Sequence, residues 1–297
     1  MNKWMRVLGA GVVAAAIGWA GSGAAQTVVV GGKAFTEQQI MTAMTVALLK
    51  AKGFAPERKA GMGSAAVRSA LENGQIDVYW EYTGTGLGVF NKITDKFPSA
   101  EAAYQKIKEV DGAKGIVWLN MAPANNTYGF AMNKDQAQKL GIVTMSDFAK
   151  AINSGAKLTF ASNAEFYARP DGLPGWQTAY GFEFERDNVK RMDTGLTYSA
   201  LKDRQVDSAV VFATDGRIPA FNFVVLKDDK HYGATYNLTP VVRKEILDKY
   251  PKVGEALNAL SAKLNDDNMA KLNASVDVDK KTPEEAAEGF LKANGLI

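Results

Sequence analysis

No cysteine occurs in the 297 residues, which excludes a disulfide framework, a thiol nucleophile and a thiolate metal site. Histidine is nearly as scarce. The one example, His231, follows the charged stretch Lys227-Asp228-Asp229-Lys230, a solvent-facing setting that argues against a Ser-His-Asp arrangement. Metal-ligand spacings of histidine and carboxylate are absent. Glycine turns are present at Gly31-Gly32 and Gly84-Thr85-Gly86, but neither carries the Walker Lys-Ser/Thr ending or a full dinucleotide fingerprint. Glu81 and Asp215 are left as a carboxylate pair that could hydrolyse a glycoside, although carboxylates near a hinge more often act as hydrogen-bonding caps. The parts of an enzyme are missing, and no cofactor is expected.

Long apolar runs are also few. The exception is the stretch from Met1 to Ala25, where Lys3 and Arg6 precede an apolar run from Val7 to Ala20 and Gly23-Ala24-Ala25 supplies small residues before Gln26. This is the pattern of a cleavable secretory signal, too short for the roughly 20 residues that span a bilayer. No cysteine follows the cleavage point, so a lipid anchor is not expected. Removing Lys3 and Arg6 leaves 33 basic against 32 acidic side chains, a formal charge of +1, with basic residues scattered. Such a surface gives no reason to bind nucleic acid or insert in a membrane. A free periplasmic protein, monomeric, is the expectation.

What the chain does have is a segment used twice. Ser69-Ala70-Leu71-Glu72-Asn73-Gly74-Gln75-Ile76-Asp77 returns later in the chain as Ser199-Ala200-Leu201-Lys202-Asp203-Arg204-Gln205-Val206-Asp207. At the same offset Val28–Lys33 falls on Leu158–Asn163, and Tyr82 falls on Phe212. The repeat predicts an α/β chain of two similar lobes, with Tyr82 and Phe212 at strand ends, where open α/β sheets present binding groups. Residues 26–122 with 219–297 are expected to form one lobe and 123–218 the other. The chain is expected to cross at Asn125–Met132 and to return at Ala213–Arg217, so that strand Phe221–Leu226 rejoins the first lobe. Thr36 is read as the N-cap of the first helix. Two crossings make a hinge and a cleft that can close.

Tyr82, Tyr128, Phe212 and Tyr236 each lie next to a residue that turns the chain: Gly84, Gly129, Gly216 and Pro240. Ring faces attract cations, and a methylated ammonium, which cannot donate N–H bonds, gains roughly 0.5–2 kcal/mol from each. Any one ring could simply pack the lobe interface.

Gly31–Gln38, Glu81–Thr85, Glu165–Gly172 and Thr214–Arg217 together give the chain, from Val28 to about Gly295, a specific resemblance. It resembles the substrate-binding proteins of ABC transporters for glycine betaine and other quaternary ammonium compounds. The resemblance implies a two-lobe periplasmic-binding fold of type II-like plan that closes on its ligand and hands it to a membrane permease driven by an ATPase. It also implies that Tyr82, Tyr128, Phe212 and Tyr236 box the trimethylammonium head, with Asn126 beside it, and that Lys33, Arg169 and the Thr85 hydroxyl meet the carboxylate. Two positions depart from relatives: Phe212 stands in place of tyrosine and Asn126 in place of aspartate. Leaving Lys33 and Arg169 buried without an anion would be costly, which favours a zwitterion over choline. Pairing of Arg169 with Asp171 is the bland alternative. Rival readings are a binder of choline or another small zwitterion or amino-acid derivative, a periplasmic hydrolase on the same plan, and a signalling ectodomain or adaptor.

Overall fold

Val28 and Val30 are wholly buried because the first strand lies inside a sheet covered on both faces. The computed structural model describes residues 26–297, so the predicted signal segment lies outside the described residues. Strand β1 (Thr27–Lys33) leads into helix α1 (Thr36–Ala51), then β2 (Ala55–Met62), α2 (Ser64–Glu72) and β3 (Val78–Tyr82). A π-helical turn over Thr85–Phe90 follows, then α3 (Ala100–Gly112) and β4 (Ile116–Trp118). Ile40, Met41, Met44, Leu48 and Leu49 recur at helical spacing on α1 and are all fully buried, each burial contributing about 1.5–3 kcal/mol. The helix stops at Lys52, and Gly53 follows with φ +88°, a left-handed turn that glycine makes at no steric cost.

The chain then enters a second sheet with β5 (Tyr128–Asn133), α4 (Lys134–Leu140), α5 (Met145–Asn153), β6 (Phe160–Ser162), α6 (Ala164–Ala168) and α7 (Leu173–Tyr180). It continues through β7 (Val189–Arg191), α8 (Thr194–Lys202), β8 (Ser208–Phe212), α9 (Arg217–Ala220) and β9 (Phe223–Val225). Strand β10 (Leu238–Arg243) returns to the first sheet, and α10 (Lys244–Lys249), α11 (Pro251–Ser261), α12 (Asp266–Asp277) and α13 (Pro283–Ala293) close the chain. The strand orders are β2-β1-β3-β10-β4 and β7-β6-β8-β5-β9. In each sheet the strand after the central parallel one is antiparallel and belongs to the chain's crossing. Each sheet carries a hydrophobic cluster on both faces. The two-lobe α/β plan with two crossings stands.

The repeat is structural. Helix α2 (Ser64–Glu72) and strand β3 (Val78–Tyr82) recur as α8 (Thr194–Lys202) and β8 (Ser208–Phe212), with every boundary displaced by the offset of the sequence repeat. Asp77 accepts from the Val29 N–H at 2.8 Å, and Asp207 accepts from the Thr159 N–H at 2.8 Å, so one carboxylate closes the same gap in both lobes.

Two expectations are corrected. Strand Phe221–Leu226 does not rejoin the first lobe: β9 pairs antiparallel with β5, and Leu226 N–H donates to Phe130 O, because that edge holds its nearest open ladder. The return crossing therefore lies between Val225 and Leu238, and Ala213–Arg217 is a turn of the second lobe that docks on α12. Thr36 is not a cap: Phe35 holds the N-cap position, and the Thr36 hydroxyl donates to Asp277 at 2.8 Å.

Candidate functional site

Parallel strands β1, β3 and β8 end, and antiparallel β5 begins, at the same side of their sheets, facing the gap between lobes. Tyr82 ends β3, Phe212 ends β8, and Tyr128 opens β5 directly opposite Phe212 in the ladder. Tyr236 lies two residues before β10, Thr85 opens the π-helical turn, Lys33 ends β1 and Arg169 follows α6. All eight predicted residues (Lys33, Tyr82, Thr85, Asn126, Tyr128, Arg169, Phe212 and Tyr236) line one narrow cavity with about 20 Å³ of free space. It adjoins an open cleft of about 500 Å³ that shares Lys33, Asn126, Tyr128 and Phe212.

The rings meet across the cleft. Tyr128 lies 5.1 Å from Phe212 and 5.3 Å, edge-on, from Tyr236. Phe35, which is not among the expected site residues, stacks on Phe212 at 5.3 Å and on Tyr82 at 6.2 Å. It ties a ring of the first lobe to a ring of the second. Both Lys33 and Arg169 touch ring faces: Lys33 Nζ lies 5.2 Å from the Tyr82 centroid, and the Arg169 guanidinium 5.5 and 5.7 Å from those of Tyr128 and Tyr236.

Neither cation is unpaired, which corrects the premise that a ligand anion is needed to satisfy them. Lys33 Nζ donates to Glu81 at 2.6 Å, both being buried. Arg169 forks onto Asp171 through Nε at 2.9 Å and Nη2 at 2.6 Å. Its Nη1 makes only long bonds, to the Thr85 hydroxyl at 3.3 Å and the Tyr128 hydroxyl at 3.4 Å. Burial pushes the Asp171 carboxyl up, but the Arg169 fork and the Tyr236 hydroxyl outweigh it and hold the group below its ordinary value. Burial raises the Tyr128 phenol to about 12, so it remains a neutral hydroxyl. The conceivable hydrolytic pair is likewise occupied, Glu81 by Lys33 and Asp215 by Arg217.

Asn126 is used on both ends. Its amide donates to Glu37 at 2.9 Å, and its oxygen accepts from Thr214 N–H at 3.3 Å. Glu37 also accepts from the Tyr82 hydroxyl at 2.7 Å, the Thr214 hydroxyl at 2.5 Å and the Asn273 amide at 3.0 Å. Burial raises the Glu37 carboxyl above its ordinary value despite these four bonds. Glu165, from the second lobe, caps the start of α2 in the first, accepting from Ser64 N–H at 2.8 Å and Ser64 Oγ at 2.9 Å. Among the described residues no group of three or more metal-ligating side chains forms.

Residues 26–293 match the family model described as the substrate binding domain of ABC-type glycine betaine transport systems. The chain is 42% identical to a glycine-betaine-binding protein of Pseudomonas aeruginosa, covering 100% of this chain and 96% of that one. It is 32% identical to the glycine betaine-binding protein YehZ of Escherichia coli, with 92% of each covered. A solved structure titled as a glycine betaine/carnitine/choline ABC transporter superposes with a TM-score of 0.72 at 30% identity, over 91% of this chain and 99% of that one. The chain therefore belongs to the substrate-binding proteins of ABC-type glycine betaine transport systems, a family of transporter components and not of enzymes.

Proposed function

We propose that this protein captures glycine betaine, or a closely similar quaternary ammonium zwitterion, between its lobes and delivers it to an ABC permease and its ATPase. The observation that carries the reading is the convergence of four rings from both lobes, with Lys33, Thr85, Asn126 and Arg169, on one inter-lobe cavity. The rings hold the methylated head, which needs contacts without N–H acceptors. Since Asp171 already engages Nε and Nη2 of Arg169, the ligand carboxylate is met by Nη1 and the Thr85 hydroxyl. The ion pair thus holds the guanidinium in place for the ligand. Choline brings Nη1 only a neutral hydroxyl and no anion, so it forfeits the charge-assisted bond and ranks lower.

Secretion to the periplasm, with cleavage before Gln26, is part of the same reading; it is supported by the residue pattern from Met1 to Ala25. No helix among the described residues is long and apolar enough to cross a membrane. The protein is read as a binder without catalysis. Calorimetric titration of the chain from Gln26 onward with glycine betaine and choline in parallel tests the site. One-to-one binding that favours glycine betaine supports it; preference for choline removes the carboxylate site and keeps the cage, and no heat with either sinks the reading.

A further inference from the structure

Glu37 is the buried carboxylate of the cleft for which ligand capture has no direct use. Its two oxygens are each held twice, Oε1 by the Tyr82 hydroxyl and the Asn126 amide, Oε2 by the Thr214 hydroxyl and the Asn273 amide. The donors come from four places: the end of β3, the first crossing, the turn after β8 in the second lobe, and α12. Thr214 is gripped further, its N–H donating to Asn126 Oδ1 at 3.3 Å and its carbonyl accepting from Asn273 Nδ2 at 2.9 Å. The second-lobe turn that follows ring Phe212 is therefore bound, through Glu37, to the hydroxyl of ring Tyr82 in the first lobe.

We infer that Glu37 is a positioning residue that locks the two lobes in the arrangement assembling the ring box, by joining Tyr82 and Asn126 to Thr214. The inference rests on the reading of the cleft as a ligand site. A carboxylate is the group this junction requires, since four donors face two oxygens. Glutamine fails in either orientation. With its NH₂ at Oε1 it opposes the Asn126 amide, and flipping Asn126 sacrifices the bond from Thr214 N–H. With its NH₂ at Oε2 it opposes the Asn273 amide, and flipping Asn273 sacrifices the bond to the Thr214 carbonyl. Each case breaks a contact between lobes, while the packing of either lobe is untouched.

The absence of native cysteine permits a direct test. Lys59→Cys on β2 and Lys190→Cys on β7, both exposed and one on each lobe, carry spin labels whose separation reports lobe opening. In this background Glu37→Gln is expected to move the ligand-free distance distribution to longer separations and to raise the Kd for glycine betaine tenfold or more. Thr214→Val, which removes only the second-lobe hydroxyl, is expected to do the same to a smaller degree, and it carries the test alone should Glu37→Gln not fold. Distances and Kd within twofold of the parent overturn the inference. So does a weakened Kd with an unchanged distance distribution, which would make Glu37 a local support of Tyr82. A parent protein that binds no quaternary ammonium sinks the ligand reading instead, and the distance measurement still decides the role of Glu37.

Discussion

Tyr82 has two jobs that pull on the same side chain. Its ring lines the inter-lobe pocket, where the proposal makes it a wall of the box, and stacks with Phe35, while its hydroxyl donates to Glu37. Tyr82→Ala should therefore weaken glycine betaine by more than about 1 kcal/mol through the lost desolvated ring contact; calorimetry showing no change would remove Tyr82 from the cage. Arg169→Ala should weaken glycine betaine more than choline, because the lost Nη1 bond is charge-assisted only when the ligand has a carboxylate. Equal losses for both ligands would mean that Arg169 only shapes its loop with Asp171. The four rings Tyr82, Tyr128, Phe212 and Tyr236 could be picked from the sequence because each stands beside a strand end or chain turn, a local signal, whereas Lys33, Thr85, Asn126 and Arg169 were reached only through the family resemblance. Glu37 gave no such signal: its four partners lie 45, 89, 177 and 236 residues away along the chain. Phe35 was equally hidden, since an apolar residue opening an amphipathic helix looks like core.

At the scale of elements, the helix-strand unit shared by α2–β3 and α8–β8 was the most legible part of the fold, because its helix, turn and strand are set by neighbours in sequence. What escaped was set by distant partners. Helix α12 (Asp266–Asp277) buries only Met269, Leu272 and Asn273, too thin an apolar stripe to announce itself, and β9 takes its lobe from β5, from which six helices and three strands separate it along the chain. Between α2 and α3 the Arg68 fork onto Asp111, at 2.6 and 2.8 Å, makes a prediction about acid. Burial pushes Asp111 up, but Arg68, Trp118 and Asn91 overcome this and hold it below its ordinary value. A carboxylate depressed in the folded state contributes stability at pH above its unfolded value, and that contribution is lost as pH falls through the folded one. Asp111→Asn is thus expected to cost about 3–5 kcal/mol near pH 7, where a buried partner is stranded, and progressively less below about pH 4. Thermal melts of both proteins across that range check it; a gap that does not narrow in acid would mean that packing, not charge, is what Asp111 supplies.

The whole molecule works as a binder only if the two lobes meet in one register, and that register is set at a second place besides Glu37. Gly216, in the turn after β8, lies so close to α12 that a Cβ there would stand 2.5 Å from Ala274 Cβ, 2.7 Å from the Ala270 carbonyl and 2.9 Å from Ala274 Cα. Two of these are backbone atoms, and the third is a methyl carbon fixed to the helix backbone, so no rotamer change relieves the contact. The backbone at Gly216 is right-handed, φ −67°, so alanine suits the local conformation and the penalty falls on the lobe interface alone. Lifting the turn would loosen the Asn273 bond to Thr214 and the 3.3 Å contact of Arg217 with Asp277. Gly216→Ala is therefore expected to leave the far-ultraviolet circular dichroism of both lobes unchanged. Ligand binding should weaken by about 1–3 kcal/mol, the usual penalty of overpacking a close contact. Small-angle scattering should then show a larger ligand-free radius of gyration than in the parent. Unaltered affinity and radius would mean that the turn can slide along α12 and that the register between lobes is held by the other contacts across the cleft, the Glu37 junction and the Glu165 cap on Ser64 among them.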